Sequence, residues 1–280
     1  MAERIDRPLA FVGGGSMANA ITRGGLDGGV LEPSLLCVAD PDPAKLAPFE
    51  REGAHVAPSA SEALAWLERT ERSAGDGQLV LAVKPQIFPM VADEIAGRCG
   101  ARVVISILAG TRSQTIRERL GELVRVIRVM PNTPARIGRG TSAVALGAGA
   151  ETGDDEVAQR LFGAVGPVVE RIDETLMDAF TALAGSGPAY VFYLAEAMAK
   201  AATEMGFSQK QADRIVRGTI SGAGELLAQS DESPEDLRKA VTSKGGTTFA
   251  ATESLDGSGV MEAIERAIIA ARDRGRELGG

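Results

Sequence analysis

The chain has 280 residues, 44% hydrophobic and 24% charged, with a net charge of -8. That length accommodates a large core and two domains, and the composition is that of an ordinary globular protein. The negative balance, with Lys and Arg dispersed, excludes general attraction to nucleic acid or anionic membrane, and no apolar run approaches the roughly 20 residues of a membrane span.

The opening MAERIDRPLAFVGGG lacks a signal-peptide core, because glycines interrupt its short apolar run. Cys37 and Cys99 are too few for a disulfide framework or a zinc site. The expectation is a cytoplasmic protein without a metal.

Short β-type runs then alternate with helical ones. Strands are predicted at Leu9–Val12, Leu35–Ala39, Leu79–Val83, Val103–Ile107 and Val124–Val129. Between them lie helical stretches such as Met17–Leu26, Glu62–Arg72, Ile87–Arg98 and Gln114–Leu120. This alternation predicts an α/β domain with a mostly parallel sheet covered on both faces. Thr141–Leu146 and Pro167–Ile172 read as further strands around a helix over Asp154–Val165.

Beyond Ile172 the pattern becomes helical. Val191, Leu194, Met198, Ala201 and Met205 recur at spacings of three and four, the stripe of a buried helix face. Similar stripes mark Ile215–Leu227 and Val260–Leu278. We therefore expect a dinucleotide-binding domain over 1–172 and an all-helical domain over 173–280. So little of the helical surface is polar that it is expected to pack on a second copy of the chain; packing onto its own first domain is the alternative.

The first predicted strand runs into Gly13-Gly14-Gly15-Ser16-Met17-Ala18 and then a helix. This is G-x-G-x-x-A in the context that gives the motif meaning. Gly13 permits the tight turn, Gly15 lets backbone approach a pyrophosphate, and Ala18 allows close helix–sheet contact. Val12, Gly14, Ser16 and Met17 complete the candidate cofactor loop. Asp40 stands 25 positions beyond Gly15, where a carboxylate accepts from the ribose of NADH and repels the 2′-phosphate of NADPH. Lys45 would have to reach back to offset that charge.

Other candidate cofactor contacts fall where later strands close. They are Ala82, Val83, Lys84 and Pro85 in LAVKPQ, and Ile107, Leu108 and Ala109 in SILAG. In MPNTP, Asn132 is a candidate substrate ligand or a turn stabiliser. His55, the only histidine, starts a strand and is given a structural role.

AGSGPAY (Ala184–Tyr190) interrupts a helical pattern with Gly185, Gly187 and Pro188, so Ser186 sits at a kink or at a ligand. VTSKGGTTFAATESL (Val241–Leu255) places Ser243, Gly245, Gly246, Thr247 and Thr248 at a glycine-hinged helix start, a setting that binds small anions.

Taken in order, FVGGGSMANAI, LAVKPQ, VRVMPNTPARIGRG, TALAGSGPAYVFYLAEAMA and LRKAVTSKGGTTFAATESL resemble the pyrroline-5-carboxylate reductase family over nearly the whole chain. The resemblance implies a Rossmann domain, then a helical dimerisation domain, with dimers that often build larger rings. It also implies reduction of 1-pyrroline-5-carboxylate to L-proline by NADPH or NADH, the last step of proline biosynthesis. Ser243, Gly245, Gly246 and Thr247 would then hold the substrate carboxylate. Thr248 would aim its hydroxyl at the ring nitrogen as the catalytic residue, unless it is only a helix cap. Lys244 and Ala60 stand where the family often has proline and asparagine. A reductase of another cyclic imine, a β-hydroxyacid dehydrogenase-like enzyme and a nonenzymatic NAD(P)-sensing regulator remain as alternatives.

Overall fold

The computed structural model describes residues 3–279. It divides into two compact units: the chain up to Gly185 together with the segment from Ala271 onward, and Ser186–Ala270.

In the first unit, β1 (Leu9–Val12), α1 (Ser16–Asp27), β2 (Leu36–Ala39), α2 (Pro43–Arg51) and β3 (His55–Ala57) follow in order. They lead into α3 (Ala60–Thr70), β4 (Gln78–Leu81), α4 (Phe88–Ile95), β5 (Val103–Ser106) and α5 (Ser113–Leu120). The unit continues through β6 (Arg125–Met130), β7 (Thr141–Leu146), α6 (Glu156–Gly163), β8 (Val168–Arg171) and the short α7 (Met177–Phe180). The strands form one sheet in the order β3-β2-β1-β4-β5-β6-β7-β8. Neighbours are parallel throughout except β6 and β7.

β1, β2, β4 and β5 are buried at every position, the continuous run that a parallel sheet covered on both faces requires. Alternation along β1 sends Leu9 and Phe11 into one core with Ile21, Val38, Ile105 and Phe162. Ala10 and Val12 enter the opposite core with Leu64, Leu67, Leu81 and Ile116. The strand order turns back beside β1, between β2 and β4, which leaves a crevice outside their carboxyl ends.

The predicted strands all form, with ends that agree to within two residues. Leu35, expected at a strand start, lies instead in a short turn of 3₁₀ helix over Pro33–Leu35. α2 forms despite an internal Pro48: Asp42 caps it, accepting from the Ala44 N–H at 3.0 Å. His55 stacks on Trp66 with ring centroids 5.8 Å apart. Glu174 ties the chain after β8 back to the sheet, accepting from Ser113 N–H at 2.8 Å and from the buried Arg128 at 3.4 Å.

The helical pattern after α7 breaks as expected, through a turn of π-helix over Thr181–Gly185. The second unit follows with α8 (Gly187–Glu204), α9 (Gln209–Gln229), α10 (Pro234–Ala240) and α11 (Thr247–Gly257). α12 (Val260–Leu278) begins in this unit. Ser208 and Gln211 close a capping box that starts α9.

The α8 stripe is not buried in the single chain. Val191, Leu194, Ala201 and Met205 are exposed, Met198 is half-buried, and the buried position on that helix is Ala202. Across 186–270 the buried residues are Ala202, Ala212 and Val216. Phe192, Tyr193, Ile215, Leu226, Leu255, Met261 and Ile264 lie open as well. Three buried side chains do not offset the conformational entropy of a unit this long, so its apolar faces need a further surface to cover them. Among the described residues no helix is long and apolar enough to cross a membrane.

Candidate active site

The crevice is built around the turn from β1 into α1. Gly13 donates to Ala39 O at 2.7 Å and holds φ of 110°, a conformation open to glycine. A Cβ there would also stand 2.7 Å from the Ala82 carbonyl. Gly15 is the N-cap residue of α1 in extended backbone, and a Cβ on it would meet nothing within 4 Å. No side chain caps α1 and no acid lies in its first turn. Asn19 N–H is the first to bond back, to Gly15 O at 3.0 Å, so the amides of Gly15, Ser16, Met17 and Ala18 keep their hydrogen-bonding capacity. Free amides with the positive end of a helix dipole fit a pyrophosphate. Ala18 is fully buried against the sheet, and Met17 packs on the same core.

This turn opens into a cleft of about 600 Å³, lined among others by Val12, Gly13, Gly15, Ser16, Asp40, Lys45, Ala82, Val83 and Lys84. Gly14 lies behind the wall, where its N–H donates to Asp40 Oδ2 at 3.0 Å. Asp40 Oδ1 accepts from Asp42 N–H at 3.0 Å. Lys45 does reach back: its Nζ lies 3.3 Å from Oδ1 and 3.4 Å from Oδ2 of Asp40. The carboxylate thus anchors the glycine loop and carries a cation, which softens the repulsion of a 2′-phosphate expected from sequence.

Pro85 begins the turn that follows Lys84, between the cleft-lining Lys84 and Ile87. Ile107 N–H pairs with Leu81 O at 3.0 Å, Leu108 side chain is buried in the core, and Ala109 is exposed. Ile107 offers backbone beside β4, and none of the three lines the cleft.

Asn132 is buried, its Nδ2 donating to Ala184 O at 3.1 Å and its Oδ1 accepting from Thr141 N–H at 2.9 Å. Both ends of the amide are held by backbone, so its geometry is that of a strut between the end of β6, the start of β7 and the π turn. A Cβ on Gly185 in that turn would come 2.8 Å from Met130 Cε, the flexible end of that side chain.

Of the far wall of the cleft, sequence reasoning singled out Ala60 and passed over Pro58, Ser59, Ile87, Met90 and Glu94. Glu94 Oε2 accepts from Ala60 N–H at 3.1 Å and so occupies the start of α3, whose N-cap is Ser59. The polar–apolar spacing of α4 held a signal for Met90 and Glu94, but the contact with Ala60 spans 34 residues and has no local signature.

In the helical unit, Ser186 is half-buried and is the N-cap residue of α8, with Pro188 in the first turn. Further on, Gly246 donates to Ser243 O at 3.0 Å and closes a turn with Gly245 at φ of 74°. A Cβ on Gly246 would stand 2.6 Å from Ser243 Oγ. Gly246 is the N-cap residue of α11, with no side-chain cap and no acid in the first turn. Thr247 and Thr248 are the first two helical residues, so Thr248 is not the cap. Ala250 N–H bonds back to Gly246 O at 3.1 Å, which leaves the amides of Thr247, Thr248 and Phe249 without an acceptor. Ser243, Gly245 and Thr247 are exposed, and Gly246 and Thr248 are half-buried. The mouth of α11 is therefore an uncapped helix start whose first amides have hydrogen-bonding capacity to spare.

Comparison with known proteins agrees over both units. Residues 174–278 match the family model described as pyrroline-5-carboxylate reductase dimerisation. Residues 8–110 match one described as NADP oxidoreductase, coenzyme F420-dependent. A pyrroline-5-carboxylate reductase of Arabidopsis thaliana is 34% identical over 272 residues, 96% of this chain and 95% of that protein. The structure of a pyrroline-5-carboxylate reductase from Coxiella burnetii superposes with a TM-score of 0.85 at 30% identity, covering 99% of this chain and all of that one. The Plasmodium falciparum pyrroline carboxylate reductase, crystallised with NADP bound, gives a TM-score of 0.84 at 26% identity over 99% of this chain and 100% of its own. The dimerisation model falls on the helices whose apolar faces are open, which supports homo-oligomerisation. Sheet order, glycine turn, helix mouth and full-length similarity meet in one conclusion: this chain belongs to the pyrroline-5-carboxylate reductase family.

Proposed function

We propose that this protein reduces 1-pyrroline-5-carboxylate to L-proline with NADPH or NADH, the closing step of proline biosynthesis. The observation that carries the reading is the start of α11, where the amides of Thr247, Thr248 and Phe249 are unbonded behind a Gly245-Gly246 hinge and no acid lies in the first turn. A small cyclic imine with a single carboxylate is what such a mouth fits.

When bound, the nicotinamide supplies a hydride to the imine carbon. The amides of Gly15 to Ala18 would hold the pyrophosphate, and those of Thr247 and Thr248 would hold the substrate carboxylate. Ser243 and the Thr247 hydroxyl flank that carboxylate. Thr248 directs its hydroxyl at the ring nitrogen and fixes which face of the ring is presented. The acceptor is the protonated imine, whose nitrogen takes the electron pair of the C=N π bond as the hydride arrives, giving the secondary amine. Since the ring brings its own proton, no strong protein acid is needed, and orientation supplies most of the acceleration.

The helical domain is taken as 173–280, in keeping with the span of the dimerisation match. We read the oligomer as a homodimer through this domain, assembled further into a ring, working in the cytoplasm. Ser186 and Asn132 belong to the substrate side in this reading, Asn132 by holding the π turn.

The test is absorbance at the nicotinamide band with purified protein and each reduced cofactor. Oxidation that begins only when pyrroline-5-carboxylate is added supports the reading. Silence with both cofactors, from folded protein that still binds nucleotide, would favour a sensor without catalysis.

A further inference from the structure

Four ionisable side chains line the nucleotide cleft: Asp40, Lys45, Lys84 and Glu94. Glu94 is committed to the Ala60 N–H at 3.1 Å. Asp40 is committed to the amides of Gly14 and Asp42, each at 3.0 Å, so its place is fixed by backbone whether or not a cation is present. Lys45 has no such commitment. Its ammonium touches both oxygens of Asp40, yet its side chain is 50% exposed where that of Asp40 is 8% exposed. An ion pair with one long, flexible, half-exposed partner opens at less cost than a fully buried one.

We propose that Lys45 is the residue that lets this cleft accept a 2′-phosphate, by leaving Asp40 for the phosphate when NADPH binds. The inference deepens the reading of the cleft as a dinucleotide site and rests on it. With Lys45 closed on Asp40, the fixed carboxylate and the cation sum to no charge, and a ribose 2′-hydroxyl enters without displacing anything. With a 2′-phosphate, the fixed carboxylate is repulsive, and the ammonium moves the short distance outward to lie between the two anions. Pro41 and the acidic Asp42, which follow Asp40 directly, carry no cation for that task. Lys45 is one turn into α2, and Asp42 sets its position by capping that helix.

Calorimetric titration of the full-length protein with AMP, adenosine 2′,5′-bisphosphate, NAD⁺ and NADP⁺ tests this without relying on turnover. In Lys45→Ala, the bisphosphate and NADP⁺ are expected to bind about tenfold more weakly or worse, the loss of one charge-assisted contact. AMP and NAD⁺ should stay within about threefold of wild type. Lys45→Arg should keep most of the 2′-phosphate affinity. Equal losses for all four ligands, or none for the bisphosphate, would overturn the proposal while leaving the cleft reading intact. If wild-type protein bound none of the four, the cleft reading would fall and the proposal with it.

Discussion

The Gly14 amide donates to the Asp40 carboxylate at 3.0 Å across 26 residues, so the glycine loop and the acid at the end of β2 act as one unit. The usual assignment of such an acid to the ribose alone therefore omits half of its work. Asp40→Ser removes the fixed negative charge and frees Lys45, but it also removes an acceptor from the loop. We expect the ratio of kcat/KM for NADPH over NADH to rise by about tenfold, with affinity for both cofactors reduced. An unchanged ratio would mean that Asp40 does not face the ribose.

Thr248 lies one residue inside α11, whose N-cap is Gly246, so it stabilises no helix end. Thr248→Ala should then leave thermal stability nearly unchanged while lowering kcat by about tenfold or more. Cofactor affinity should be unaffected, and Thr248→Ser should recover most of the rate. A loss of stability comparable with the loss of rate would return Thr248 to a structural role.

Gly245 holds φ of 74°, and its loop is exposed. Gly245→Ala costs about 1–2 kcal/mol in that conformation. We expect the strain to reshape the mouth of α11, raising KM for pyrroline-5-carboxylate several-fold with little change in KM for the reduced cofactor. A rise confined to the cofactor would show that the mouth serves the nucleotide instead.

Cys37 and Cys99 are free and buried, and desolvation pushes their thiols up to about 12 and about 11, against 9.0 for an ordinary thiol. Because the folded values lie above the unfolded one, the buried thiols favour the fold at all pH below about 9, and that contribution is lost as pH rises from about 9 toward 12. Urea titrations from pH 8 to 10.5 should show falling stability, with a shallower fall in Cys37→Ala. The native thiols should also resist a disulfide reagent at pH 8 until denaturant is added.

The sheet was legible because each strand is a short apolar run followed by its own turn chemistry, as in Leu9–Val12 before Gly13. The helix starts at Gly15 and Gly246 were legible for the same reason: glycines in a row have a local meaning. α2 was missed because Pro48 reads as a breaker, while its real start is set by Asp42 and Pro43. The α8 stripe predicted burial, and the single chain leaves Val191, Leu194, Ala201 and Met205 exposed, because periodicity reports that a face is covered and not by which molecule. The reach of Lys45 to Asp40 was raised only as a condition, and that of Glu94 to Ala60 escaped altogether. Both depend on side-chain direction in three dimensions, which spacing does not encode.

The most direct test of the account is a crystal structure of the protein with L-proline and NADP⁺ bound together. The expected result is a proline carboxylate within hydrogen-bonding distance of the Thr247 and Thr248 amides, with the ring nitrogen beside the Thr248 hydroxyl. Proline held elsewhere, away from residues 243–248, would contradict it.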